Sequence, residues 1–128
     1  MRKFKFNECQ ILLRIAFCCV GAHLEGSAIH VLDELLMIKG IILLQYTNNP
    51  KWPRGIEMID HLKSRLGSIP AKILLTPSEF RSAIAQRLLP GNWIYDVGYD
   101  SEHLDEYVHD ADEALELYAL ARAYKPPC

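Results

Sequence analysis

Several things are missing from this chain of 128 residues, and each absence excludes something. No apolar run is long enough to cross a bilayer. Net charge is only −2, and no dense basic stripe is present, which argues against nucleic acid as the main partner. Cysteine is scarce: Cys9, Cys18, Cys19 and Cys128, with no CxxC spacing, so a thiolate metal site is not indicated. Vicinal Cys18 and Cys19 do not readily pair with each other, and Cys9, Cys18 and Cys19 sit among Ile, Leu and Phe as reduced, buried thiols would. No GxSxG, Gly-rich phosphate loop, HExxH or Cys/His nucleophile context occurs, so neither an enzyme nor a cofactor is expected. Glu106-x-x-His109 occurs once, whereas a carboxylate-bridged di-metal bundle needs that pair twice; no metal site is expected and a solvated acidic face is the simpler reading.

What is present is an internal match. Ala28-Ile29-His30-Val31-Leu32-Asp33-Glu34-Leu35, running to Gly40, meets Gly55-Ile56-Glu57-Met58-Ile59-Asp60-His61-Leu62, running to Gly67, at a shift of 27 places. Ile29 falls on Ile56, Asp33 on Asp60, Leu35 on Leu62 and Gly40 on Gly67. Such a period predicts stacked helical hairpins, each burying a face that its neighbour supplies. The expected fold is all-α over one domain, residues 1–128: two hairpins over 7–67, a degenerate third unit over 70–90 and a C-terminal helix over 101–124. Asn7 to Gln10 reads as a variant capping box for a first helix ending near Gly21, and Gly21 to Gly26 as a turn. A helix over about Ser27–Lys39 follows, closed by Gly40. Ile41 to Thr47 is ambiguous between strand and helix on propensity, and the repeat decides for helix. Thr47 to Pro53 is a turn dense in breakers, and the next helix, with Ile56, Ile59 and Leu62 inward, ends at Gly67. Ala71 to Leu75 reads as helix or extended, and Thr76-Pro77-Ser78-Glu79 as a helix start. Gly91 to Asp100 reads as an irregular connection.

Charge is unevenly spread. Met1 to Tyr95 holds 12 Lys/Arg against 7 Asp/Glu, and Asp96 to Cys128 holds 2 against 9. The C-terminal helix is therefore expected to be acidic on one side, with Leu104, Val108, Ala111, Leu115 and Tyr118 forming a packing seam on the other. His30 with Glu34, and Asp60 with His61, read as exposed polar positions, as do Asp33 and Asp60; His30 could equally line a groove. Met1-Arg2-Lys3-Phe4-Lys5 followed by Ile11 to Phe17 has the outline of a secretory leader, but Glu8, Gln10 and Arg14 interrupt it, so a cytoplasmic protein is expected.

Leu12-x-x-Ile15-Ala16-x-x-Cys19…Ala28-x-x-x-Leu32 resembles the tetratricopeptide pattern, with Ala16 and Ala28 at the small-residue places. It departs from it in period and in Leu43, which takes a small-residue place in the second unit. Ile15 to Gly40 further resembles the opening of the tetratricopeptide-like chaperones of the type III secretion needle subunit and similar small secretion proteins. That resemblance implies a virulence-associated chaperone holding an amphipathic helix in a concave apolar groove. Its partners would be a small helical secretion subunit and a second small chaperone, with no membrane insertion. The implied partner-binding residues are Leu13, Phe17 and Val20 from the first unit, Leu44 and Thr47 from the second, and Leu74 from the third. The other open reading is a generic helical-repeat adaptor that docks a basic partner through the acidic C-terminal helix.

Overall fold

The computed structural model describes residues 20–98, 100 and 102–127. Among them strands and α-helices alternate: β1 (Val20–Glu25), α1 (Leu32–Leu36), β2 (Ile41–Thr47), α2 (Ile59–Leu66), β3 (Ala71–Leu75), α3 (Pro77–Ala85), β4 (Ile94–Val97) and α4 (Ala111–Ala123). The strands lie side by side in chain order, and every neighbouring pair is parallel. The fold is α/β. The expected all-α, tetratricopeptide-like stack of hairpins is overturned. The expected first helix lies outside the described residues up to its end, where β1 replaces it.

The decisive segment is Ile41–Thr47. Past a register shift that skips Ile42, its burial alternates, with Leu44 and Tyr46 wholly inside, Gln45 outside and Leu43 and Thr47 part-exposed. That is the two-residue period of a half-buried strand. Parallel strands need a crossover between them, and α1, α2 and α3 each supply one. Gly91 to Asp100, read as irregular, contains β4 by the same alternation.

The repeat is real, but its unit is a strand followed by a helix. A 3-10 turn leads into α1 at Gly26–Val31 and into α2 at Gly55–Met58. Both α-helices therefore start at matched residues, Leu32 and Ile59. The register of β2 against β3 carries the same spacing, with Leu44 opposite Ala71 and Tyr46 opposite Ile73, 27 residues on. Gly40 and Gly67 close the matched turns at φ of 89° and 60°, a region that costs a residue with a Cβ but not glycine.

One core lies between the sheet and the helices. Leu24, Leu44, Tyr46, Ile73 and Leu75 from the strands meet Leu32, Leu62, Phe80 and Leu117 from the four helices in a single cluster. All four helices thus cover the same sheet face, as successive crossovers of one hand in one direction require. The alternate residues, among them His23, Gln45, Lys72 and Asp96, stand on the other face. Tyr46 locks two units together. Its hydroxyl donates to the Pro53 carbonyl at 2.6 Å, and a Cβ added at Gly26 would stand 2.9 Å from that hydroxyl oxygen.

At the C-terminal end the expected helix over 101–124 is only half there. Asp110 caps α4, its Oδ1 accepting from the Glu113 amide at 2.8 Å, so the helix starts at Ala111. The expected seam is corrected as well: Leu104, Leu115 and Tyr118 are 64%, 64% and 60% exposed, while Leu117 is the buried residue of α4.

Candidate functional site

In a parallel sheet the loops that follow the strands gather at one edge, the usual place for a ligand. Here that edge is built from two consecutive asparagines and one arginine. Asn49 turns toward β1, its amide nitrogen donating to Glu25 Oε1 at 2.8 Å while its Oδ1 accepts from the Ser27 amide at 2.9 Å. Asn48 turns the other way. Its Oδ1 accepts from the Gly55 amide at 2.7 Å, and its Nδ2 donates to the Leu74 carbonyl and to Asp100 Oδ2, both at 3.3 Å.

Arg54 occupies the middle. Nε and Nη2 donate to the two oxygens of Glu79 at 2.7 and 2.8 Å, the fork geometry that suits a guanidinium. Nη2 also lies 2.7 Å from Asp100 Oδ2, and Nη1 3.2 Å from Glu102 Oε1. Asp100 is almost entirely buried and accepts from the Glu102 amide at 2.8 Å. Glu79 doubles as the helix cap of α3: it accepts from the Thr76 amide at 2.9 Å, while Thr76 Oγ1 accepts from the Glu79 amide at 3.2 Å. This bears out Thr76 to Glu79 as a helix start.

Burial works to raise the Glu79 and Asp100 pKa values. The Arg54 and Thr76 hydrogen bonds outweigh it at Glu79, and the Glu102 amide, Arg54 and Asn48 outweigh it at Asp100, so both lie below the ordinary carboxylate range. The Glu79 hydrogen bond leads in pushing the Arg54 value upward. Every side-chain oxygen and nitrogen of Asn48, Arg54, Glu79 and Asp100 is engaged from within the chain, so the cluster ties the loops after β2, β3 and β4 together.

Beside the cluster, on the face without helices, lies a concavity of about 180 Å³ lined by Gln45, Thr47, Asn48, Lys72, Leu74 and Asp96, with Asp100 at its rim. Two of the residues singled out from the sequence, Thr47 and Leu74, come together here. Leu44 does not: it is wholly buried on the opposite face. Val20 opens β1, and Leu13 and Phe17 lie outside the described residues. No groove formed by first helices of hairpins brings these six together, because Leu44, Thr47 and Leu74 sit on strands. Among the described residues no three His, Cys, Asp or Glu side chains gather closely enough to hold a metal ion. Glu106 and His109, the single Glu-x-x-His pair, serve the backbone: Glu106 Oε2 accepts from the Ser78 amide at 3.3 Å, and the His109 amide donates to Glu113 at 2.8 Å.

A second feature runs along α4. Its buried line is Leu117, with Leu120 and Tyr124 packed beside it. Ala114, Tyr118 and Ala121 come next around the helix and face an apolar trough of about 350 Å³, whose other wall is Phe80, Tyr95 and Val97. Beyond them Leu115 stands in solvent, with Leu104 and Tyr107 from the preceding segment also exposed. The apolar arc of α4 is thus wider than the surface beneath it. Carboxylates edge this arc. Glu113 and Glu116 both reach Arg81 at 3.1 Å, and the His109 amide and Arg81 hold the Glu113 pKa below its ordinary value. Asp105 and Asp112 form no ion pair among the described residues.

Neither a scan of protein-family models nor searches of curated proteins and of solved structures returned a match to this chain. The geometry alone therefore carries the functional argument. Among the described residues no helix is long and apolar enough to cross a membrane.

Sequence reasoning missed Arg54, Asn48 and Asn49, because they lay in a stretch legible only as a turn. The signal available was indirect: an arginine directly before a glycine that opens a helical unit, in a chain whose acidic residues crowd the far end. It also missed that part of the uneven charge is met internally. The basic body meets the acidic tail at Arg54 with Glu102 and at Arg81 with Glu113 and Glu116.

Proposed function

We propose that this protein is a binding module for another polypeptide, and that it seats a basic amphipathic segment along the exposed flank of α4. The observation that carries this reading is the surplus apolar arc of that helix. Leu104, Leu115 and Tyr118 expose 64%, 64% and 60% of their surface beside an apolar trough. Scattered exposed leucines are ordinary, whereas a contiguous apolar strip beside a trough marks an interaction surface. Charge decides the partner. On α4 the acidic Asp112, Glu113 and Glu116 outnumber one cation, Arg122, which lies over the Tyr118 ring at 5.7 Å, so a segment with Lys or Arg flanking an apolar face is complementary and a second copy of this acidic helix is repelled. Helix-in-groove recognition of this kind needs no catalytic group.

The test uses the full chain and a synthetic Lys/Leu amphipathic helical peptide, with the same peptide carrying Glu in place of Lys as control. The basic peptide binds at least tenfold more tightly, weakens with salt, and perturbs the amides of 104–121. Leu115→Glu reduces its affinity at least tenfold and Asp112→Lys reduces it several-fold, both leaving thermal stability within a few degrees because the two positions are solvent-facing. Equal binding of both peptides, or indifference to Leu115→Glu, rejects the assignment.

A further inference from the structure

The sheet face that no helix of the described residues covers carries a second feature, independent of α4. All-parallel sheets ordinarily bury both faces and read as apolar runs. On this face the strand residues include His23, Gln45, Lys72 and Asp96, and the loop after β2 adds Asn48. Around the concavity at its carboxyl edge the charges are ordered. Lys72, on the central strand β3, lies between Gln45 on β2 and Ile94 on β4. Asp96 lies on β4 opposite Leu74, two residues further along. Strand spacing and rise put the Cα atoms of Lys72 and Asp96 about 8 Å apart on one face. They form no ion pair with each other, and Lys72 forms none with any described residue.

Between them the floor is Leu74 and the walls are the polar groups of Gln45, Thr47 and Asn48. Tyr46 and Ile73 also line the space, but their side chains are buried on the other face, so they present main chain. The Arg54 cluster fixes one wall, since Asn48 and Asp100 both line the concavity and both are held in hydrogen bonds. The site is thus preorganised by residues that have no free valence of their own, beside a cation and an anion that have.

We infer that this concavity binds a small zwitterion of amino-acid size, its carboxylate on Lys72 and its ammonium on Asp96. Volume and span both select that class. A space of about 180 Å³ is below the roughly 300–1,000 Å³ of pockets that take drug-sized or nucleotide-sized ligands. Two opposite charges that form no ion pair with each other, on Cα atoms about 8 Å apart, leave room for one ammonium and one carboxylate in series, with a charge-assisted hydrogen bond of about 2.8 Å at each end. A monoanion leaves Asp96 unmet, and a monocation leaves Lys72 unmet. The amides of Gln45 and Asn48 can serve either a donor or an acceptor on the ligand side chain.

The experiment titrates the full chain with glycine, L-alanine and L-serine, and separately with acetate and methylammonium, following backbone amide resonances and the melting temperature. A zwitterion moves the resonances of 45–48 and 72–74 and binds at least tenfold more tightly than either fragment. Lys72→Met and Asp96→Asn each abolish that response with little change in melting temperature, since neither side chain is in the core. Lys72→Arg, which keeps the charge, retains part of it. The assignment is overturned if no zwitterion perturbs these residues at millimolar concentration. It is equally overturned if acetate or methylammonium binds as well, or if binding survives both neutral variants. Because the peptide surface on α4 lies across the sheet, loss of either activity leaves the other measurable.

Discussion

Arg54 is the residue on which the carboxyl edge turns. One guanidinium meets three carboxylates, two of them deeply placed, and its removal leaves Glu79 and Asp100 charged without a partner. Breaking one side of such a buried arrangement costs about 3–5 kcal/mol, far more than an exposed pair contributes. Arg54→Met is expected to lose stability in that range by urea denaturation at neutral pH. The pH dependence has a definite sign. Glu79 and Asp100 have lowered pKa values when folded, so the stability they confer is complete above the ordinary carboxylate range. It is lost as pH falls through the lowered values, below about pH 4. The wild type should therefore weaken steeply in acid, while Arg54→Met, already lacking the cation, weakens less over the same interval. A wild-type stability that stays level down to pH 3 would contradict this account. None of it could be read from the chain, because Arg54, Glu79, Asp100 and Glu102 follow three different strands and only the parallel pairing of those strands brings them together.

At the scale of elements, the helical parts were legible and the strands were not. Gly67 closing a helix that buries Ile59 and Leu62, and Thr76-Pro77 opening the next, were both apparent from local chemistry, and the structure has them. Capping and helical periodicity act within a few residues, so they can be read without knowing the fold. The strands misled for a physical reason. Ile41-Ile42-Leu43-Leu44 is apolar throughout, and a short apolar run does not declare its period. The repeat then favoured helix, because the matched strands share no residue: Leu44 stands opposite Ala71, Gln45 opposite Lys72 and Tyr46 opposite Ile73. What they share is the order inside, outside, inside. Gly67 offers a clean check on the helix end. With φ at 60° and open space around a new Cβ, Gly67→Ala introduces backbone strain without a clash. It should cost about 1 kcal/mol in chemical denaturation, and an unchanged or raised midpoint would show that the turn relaxes freely.

For the molecule as a whole, α4 completes the structure. It contributes Leu117 to the common core, and the Tyr124 hydroxyl both donates to the Leu89 carbonyl at 2.7 Å and accepts from the Leu89 amide at 2.9 Å. Arg81 and Arg54 lose carboxylate partners without the segment that follows Asp100. Truncation after Asp100 is therefore expected to abolish cooperative thermal unfolding and expose Phe80 and Tyr95 to an apolar dye. A truncated chain that melts cooperatively would instead make α4 a detachable flap over its trough. The same architecture explains the two surfaces. Crossovers of one hand put α1, α2 and α3 on one side of a sheet whose strands follow chain order, and α4 packs on that side too; among the described residues no helix covers the other side, where His23, Gln45, Lys72 and Asp96 stand with Leu43, Leu74 and Ile94. The last helix then has no successor to cover its outer flank.

By itself the amino-acid sequence determined the things that local chemistry controls: that one helix ends at Gly67 and another opens at Thr76-Pro77, that a unit of 27 residues recurs, and that acidic residues crowd the C-terminal quarter. Only the tertiary structure decided that the unit is a strand with its helix, that the basic body meets the acidic tail at Arg54 and Arg81, and that Lys72 and Asp96 line one concavity. Strand pairing joins residues some 22 to 27 positions apart, and at that separation the side chains of a single strand carry no record of which partner they will meet.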